Sequence, residues 1–345
     1  MYIVDPLNDL RWAPFVERHA AACAFHTQGW LRALSLTYGY EPFAVTSSAP
    51  GRELTDAVPL CRVESWATGR RLVSLPFTDH CQPLVPPDAS MGAVVEFLAE
   101  LSGREKYKFF ELRPAGPLAD AAVGDENRSA AYYIHWLDLT PSLEAIFSSF
   151  QKDSIQRKIR RADREALKYE EGRSSDMINK FYGLLLRTRR RHQLPPQPIE
   201  WFQNLVRAMG ESIQIRVALK NDLPVAAIVT LTHRNSLIYK YGCSDERYHA
   251  TGSMPFLFWR MIQDAKNASV PLVDFGRSDL DNPGLIRFKD QWGTRRTELT
   301  YYRIPAPSPA HSYFGFAERA AKAVFARLPD SLLAMAGKKI YRHIG

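Results

Sequence analysis

The sequence predicts an α/β (α+β) protein built from two similar lobes in tandem. Each lobe is expected to be a mixed, mostly antiparallel sheet flanked by helices, and a helical tail follows. Three observations carry this expectation. The 345-residue chain is 46% hydrophobic and 24% charged, which suits a globular protein of about two domains. Extended runs alternate with helical stretches, and hairpin turns separate several of the runs. Segments of the two halves also line up in the same order at an offset of about 164–169 residues. GRELTDAVPLCRV lies over KNDLPVAAIVTLT, RRLVSLP over NSLIYKY, and KFFELRP over PLVDFGR, which sets Arg113 opposite Arg277. Any α/β protein shows some echoes of this kind, so the argument for duplication rests on the shared order.

Along the chain, residues 28–38 (QGWLRALSLTY) place Trp30, Leu31, Leu34 and Tyr38 at helical spacing. PFAVTSS, DAVPLCRV and RRLVSLP read as strands, 91–102 as a helix, and YKFFELRP and AYYIHWLDL as strands. In the later half, helices over 175–193 and 198–209 precede the strand IQIRVALK. The turn Asn221-Asp222 leads into PVAAIVTLT, and Arg234-Asn235 leads into SLIYKYGC. A helix over 254–267 and the strand VPLVDFG follow. The expected domains are a first lobe over 1–140, a second over 141–306 that carries the site, and a tail over 307–345.

Composition narrows the function classes. An aromatic content of 12% excludes a largely disordered chain. A net charge of +8 favours anionic partners: phosphates, nucleic acid or an anionic membrane surface. The four cysteines show neither CxxC nor metal-ligand spacing, so neither a disulfide framework nor a metal is expected and the compartment is taken as reducing. The first residues have no signal-peptide core, and no run reaches about 18 apolar residues. The expected location is the cytoplasm, with peripheral contact at the inner face of the membrane left open.

Two regions concentrate chemistry. In QKDSIQRKIRRADREALKYE (151–170), Arg157, Arg160, Arg161, Arg164 and Lys168 share one helix face. Guanidinium forks suit phosphate oxygens, although the pattern equally suits a solvated helix. Further on, Gly252-Ser253 and Pro255 mark a helix start whose N–H groups can hold an anion, with His249 on the loop before it. Asp274 and Arg277 end a strand. Lys289 stands between Phe288 and Trp292, a polar group in an apolar wall of the kind that lines ligand sites. Tyr239 and Tyr241 alternate on a strand, a pattern that core packing explains as well.

QRKIRRADRE, KNDLPVAAIVTL, YKYGCSDERYHATGSMPFLFWRMI and DFGRSDLDNPGLIRFKDQWG resemble the FemAB-like branch of the GNAT acyltransferase superfamily, as do FHTQGWLRAL and RRLVSLPF. The resemblance covers about residues 25–303 and is most specific at FKDQWG. It implies two GNAT-like lobes in tandem. It also implies an N- or O-acyltransferase or aminoacyltransferase acting on an amine or hydroxyl of a cell-envelope or exopolysaccharide precursor. The best-known members of the family carry amino acids from aminoacyl-tRNA to peptidoglycan precursors. The implied donor is acyl-CoA or aminoacyl-tRNA, the implied acceptor is lipid- or nucleotide-linked, and no metal is implied. By the same resemblance Lys289 lies at the transfer centre, and Arg157, Arg160 and Arg161 face substrate phosphate. Two family features are missing: the long helical arm of some tRNA-using members, and the Q/RxxGxG/A coenzyme A loop.

The chemistry assigns roles to these positions. Lys289 stabilises the developing oxyanion, Asp274 accepts a proton or orients the acceptor, and Tyr241 donates to the leaving group. Arg277, Phe288, Trp292 and His249 complete the expected substrate contacts. The tail mixes Phe314, Phe316, Val324, Leu328 and Leu332 with Lys322, Arg327, Lys338, Lys339 and Arg342, which suits either an anionic membrane or docking onto the first lobe. Two other readings of the chain are a basic nucleic-acid-binding protein, tRNA included, and a non-catalytic scaffold of the same fold.

Overall fold

Hairpins organise both halves of the chain. The structure, a computed structural model, describes residues 1–86, 91–116, 118, 123–306, 325 and 328–345. Of these, 1–133, 297–306 and 339–345 form one compact unit, and 134–296, 325 and 328–338 form a second.

The first unit contains β1 (Tyr2–Val4), α1 (Trp12–Arg18), α2 (Gln28–Tyr38), β2 (Glu41–Thr46), β3 (Val58–Val63), β4 (Arg71–Val73), α3 (Gly92–Glu105) and β5 (Phe110–Leu112). The strand β6 (Arg128–Asp138) runs on into the second unit. There follow α4 (Leu143–Ser149), α5 (Arg157–Arg164), β7 (Lys168–Gly172), α6 (Ser175–Arg191), α7 (Ile199–Met209), β8 (Ile213–Lys220), β9 (Leu223–His233), β10 (Ser236–Ser244), α8 (Ser253–Asn267), β11 (Leu272–Asp279) and α9 (Pro283–Asp290). Then β12 (Arg295–Ile304) enters the first unit, and a C-terminal helix (Asp330–Ile344) closes the chain. Local chemistry sets several boundaries. The Thr27 hydroxyl accepts from the Trp30 amide at the head of α2, and Gly39 ends that helix at φ +72°.

The repeated order seen in the sequence is a repeated pairing. β2-β3-β4 are antiparallel neighbours and β4-β5 are parallel. In the second unit β8-β9-β10 are antiparallel and β10-β11 parallel. The last residue of β5 paired with β4 is Glu111 and the last of β11 paired with β10 is Asp274, so each copy carries a buried carboxylate at the same place. Each unit has its own core. Phe43, Leu60, Leu72, Leu98 and Phe110 fill the first, and Phe150, Ile159, Leu257, Phe258, Phe275 and Trp292 the second. Each fully buried side chain of this size contributes about 1.5–3 kcal/mol.

One expectation needs correction, and one alternative left open is narrowed. The basic helix is shorter than its charge pattern suggested. A π-helical turn occupies Lys152–Gln156, α5 stops at Arg164, and Ala166 turns the chain at φ +51°. Lys168 therefore lies in β7, where its ammonium pairs with Asp222 at 2.6 Å, off the arginine face. The described part of the tail is engaged by the protein. Leu333 and Gly337 are buried, and a Cβ at Gly337 would overlap the Pro196 carbonyl. The Tyr40 hydroxyl donates to Tyr341 O at 3.0 Å, and Arg71 Nε donates to Gly345 O at 3.0 Å. Phe314, Phe316, Lys322, Val324 and Arg327 lie outside the described residues.

In the first unit Glu111 is buried between Arg113 and Arg303, 2.8 and 2.7 Å away. Burial pushes its carboxyl up, but the two guanidiniums outweigh it and hold the pKa below the ordinary value. A carboxylate whose folded pKa is depressed stabilises the protein above its unfolded value, and that stabilisation is lost as pH falls through the folded value. Glu111→Gln should therefore cost about 2–3 kcal/mol at pH 7, a gap that closes in acid. Urea midpoints at pH 7 and pH 3 measure it, and equal midpoints at pH 7 would contradict the assignment.

Candidate active site

The second unit opens where β10 and β11 part. Their parallel pairing covers Ser236–Ile238 and Leu272–Asp274, yet β10 continues to Ser244 against β9, and β11 continues to Asp279. A bulge between Tyr239 and Tyr241 interrupts β10. One extra residue reverses the alternation of side chains. Tyr239 accordingly packs on Phe258 of α8, while Tyr241 packs on Phe181 and Phe202 of α6 and α7. The Tyr241 hydroxyl accepts from Trp201 Nε1 at 2.8 Å within that second cluster. The structure thus does not bring Tyr241 to Lys289.

Beyond its pairing with β10, the backbone of β11 receives Lys289. Gly276 has φ +74°, a conformation glycine adopts without strain. It lets two successive carbonyls serve one cation: Lys289 Nζ donates to Gly276 O at 2.8 Å and to Arg277 O at 2.7 Å. Lys289 is 3% exposed. Asp274 is buried two residues earlier, where its Oδ1 accepts the Gly276 amide at 2.7 Å. Pro283 starts α9, and the Asn282 side chain caps it by accepting from the Leu285 amide. This helix aims Lys289 at β11. Phe288 and Trp292 meet Phe258, with centroids 5.8 and 5.2 Å away, so a ring wall backs the lysine.

His135 of β6, absent from the sequence-derived candidates, belongs to this centre. It is fully buried, with Nε2 3.4 Å from Asp290 Oδ1, and Asp290 also pairs with Arg296. Burial first, and the charge of Lys289 second, push the His135 pKa down to about 4. Ser278 Oγ and Trp292 Nε1 are likewise buried with no hydrogen-bond partner among the described residues. A histidine between Ile134 and Trp136 in an apolar run was the available signal.

The cationic residues fall in two places. Along α5, Ile159 and Ala162 are buried and Arg157, Lys158, Arg160, Arg161 and Arg164 are exposed. Arg161 pairs with Glu165 at 3.3 Å and Arg160 lies over the Phe147 ring at 5.5 Å. Arg157, Lys158 and Arg164 have no carboxylate partner among the described residues. The start of α8 offers a poor seat for a pyrophosphate. Ser253 is buried, Pro255 has no N–H, and a Cβ at Gly252 (φ +80°) would overlap the Lys158 carbonyl of α5. His249 instead sits 2.9 Å from Ser244 Oγ and 3.4 Å from Arg191. Burial, then Arg191, lowers its pKa. Arg191, Arg187, Arg190 and Arg247 border a concavity of about 450 Å³ with Asp245 and Glu246. There Asp245 accepts from Arg247 and Arg187, which hold its carboxyl below the usual range.

Residues 149–290, which include α5, the parting strands and Lys289, match the family Acetyltransf_6, described as an acetyltransferase (GNAT) domain. No curated protein matches the chain. Among solved structures, FemX shares 14% identity at TM-score 0.67, covering 87% of this chain and 97% of FemX. A tandem GNAT protein from the clavulanic acid biosynthesis pathway shares 16% identity at TM-score 0.55, over 88% of this chain and 97% of that one. The C-terminal domain of a protein named as a lysylphosphatidylglycerol synthetase, from Agrobacterium fabrum, shares 13% identity at TM-score 0.57, over 93% and 95%. The matched residues lie within the second unit. The duplicated pairing order agrees with the fold that FemX and the tandem GNAT protein share with this chain.

The site's packing makes two predictions. Because the His135 pKa lies below the ordinary 6.5, the unfolded chain takes up that proton first. Stability should fall as pH drops from about 6.5 to about 4, and His135→Gln should remove that portion of the slope. Denaturant titrations in half-unit pH steps test this, and identical slopes would refute it. Gly252→Ala should destabilise the protein by more than about 1 kcal/mol, through positive φ and the overlap with Lys158. An unchanged melting temperature would contradict that packing.

Proposed function

We propose that the chain is an acyl- or aminoacyltransferase acting on a cell-envelope component, with its transfer centre at the parting of β10 and β11. The observation that carries this reading is the buried ammonium of Lys289, fixed by two backbone carbonyls in the GNAT-matching segment. Relatives of this fold named as FemX and as a lysylphosphatidylglycerol synthetase support the envelope assignment.

In this reading the acceptor's amine or hydroxyl attacks the donor's carbonyl carbon. The new C–N or C–O bond forms, and the donor's ester or thioester bond breaks. Lys289 steadies the negative charge on the carbonyl oxygen. Asp274 receives the acceptor's proton or orients the acceptor group. Phe288 and Trp292 exclude water, and Arg277 borders the same strand end. The donor rides on a polyanionic carrier, coenzyme A or tRNA. Its phosphates are assigned to Arg157, Arg160 and Arg161 of α5, because the start of α8 is closed by Lys158. His249 and Arg191 are assigned to acceptor binding. The acceptor is a lipid- or nucleotide-linked precursor of peptidoglycan or exopolysaccharide, met on the cytoplasmic side with peripheral contact at the membrane.

The experiment is a transfer assay that pairs acyl-CoA and aminoacyl-tRNA donors with lipid-linked and nucleotide-linked amine acceptors. Lys289→Met should lower kcat by about 10²–10³-fold, the loss typical of one oxyanion donor, with an unchanged circular dichroism spectrum. Arg157→Glu with Arg161→Glu should raise the donor KM and leave kcat near wild type. A Lys289→Met enzyme within twofold of wild type would overturn the assignment.

A further inference from the structure

We infer that the first unit carries a docking surface for an anionic lipid bilayer, centred on Trp66. Trp66 is 89% exposed, and the loop that presents it is held in place. Ser65 Oγ accepts the amides of Ala67 and Thr68 at 3.1 and 2.9 Å and lies 3.0 Å from His343 Nδ1. Thr68 Oγ1 donates to His343 O at 2.8 Å, and Lys108 Nζ donates to Thr68 O at 3.1 Å. The indole meets the His343 ring edge-on at 5.4 Å, so its outer face is what the loop offers. Indole suits the boundary between headgroups and acyl chains, where one side is apolar and the N–H stays wet.

Charge around the ring selects an anionic occupant. Lys339 and Arg342, on the turn of the C-terminal helix that leads to His343, are exposed and have no carboxylate partner among the described residues. Lys108 reaches the same loop at Thr68 O, and Arg70 pairs with Glu64 at 2.8 Å. Ile344 is exposed beside them. Clustered cations around an exposed aromatic are the composition of a peripheral contact with acidic headgroups. No helix among the described residues is long and apolar enough to cross a membrane, so the contact considered is a surface one. The inference rests on the peripheral contact proposed above. It moves its seat from the amphipathic tail as a whole to Trp66 and the last turns that support it.

The test is co-sedimentation of the full chain with vesicles of phosphatidylglycerol and, separately, of phosphatidylcholine, with no substrate present. The wild type should bind phosphatidylglycerol vesicles at least tenfold more tightly than phosphatidylcholine. Trp66→Ala, and separately Lys339→Glu with Arg342→Glu, should each weaken that binding at least tenfold. Both sets of substitutions are on the surface, and an unchanged melting temperature confirms the fold. Wild-type binding that survives both sets would overturn this seat and leave the broader contact standing. No wild-type binding would overturn both. If the same substitutions abolish binding to an unmodified RNA while vesicle binding is unchanged, the surface is an RNA contact and the inference fails. Transfer activity on soluble substrates is measured alongside, so failure of the transferase reading shows up independently.

Discussion

An ammonium held by two successive carbonyls organises the second unit. The parallel pairing of β10 and β11 stops at Ile238 and Asp274, and past that point β11 carbonyls need partners other than β10. Such groups are costly to bury unmet. Gly276 turns two of them toward one cation, and α9 delivers it as Lys289. One interaction thereby satisfies the strand, anchors α9 and places a positive charge in a dry, ring-lined setting. A charge in such a place acts more strongly on its neighbours than it would in water. Burial first, and that charge second, lower the pKa of His135.

The duplicated pairing explains why only one copy has this arrangement. Both copies end their parallel pair at a buried carboxylate, Glu111 or Asp274. Around Glu111 two arginines close the position with direct ion pairs. The strand before it, β4, stops at Val73, and Leu75 then turns at φ +56°. Around Asp274 the carboxylate accepts a backbone amide, and both strands run on past the last pair. The first copy is a closed structural node and the second an open one.

Much of this was legible in the sequence. The helix over 28–38 and the hairpin turns at Asn221-Asp222 and Arg234 appear where local patterning put them, because short-range sterics and apolar spacing decide them. The burial of Lys289 was legible from its flanking rings. Three features were not. The bulge at Lys240 leaves no compositional mark, so the two tyrosines looked equivalent when they face different helices. The end of α5 depends on Ala166 taking a left-handed conformation that β7 pairing imposes. His135 gained significance only when β6 came beside β11, a contact distant in sequence. Periodicity reports faces of elements; it does not report which strands part.

The claim that the Lys289 charge sits at this centre can be measured without knowing a substrate. The pKa of His135, followed by its ring proton shifts in wild type and in Lys289→Met, is the direct readout. The account predicts about 4 in the wild type and a higher value once the ammonium is gone, with burial alone holding the remainder of the shift. An identical titration in the two proteins would show that the lysine exerts no field there, and the oxyanion role would have no basis.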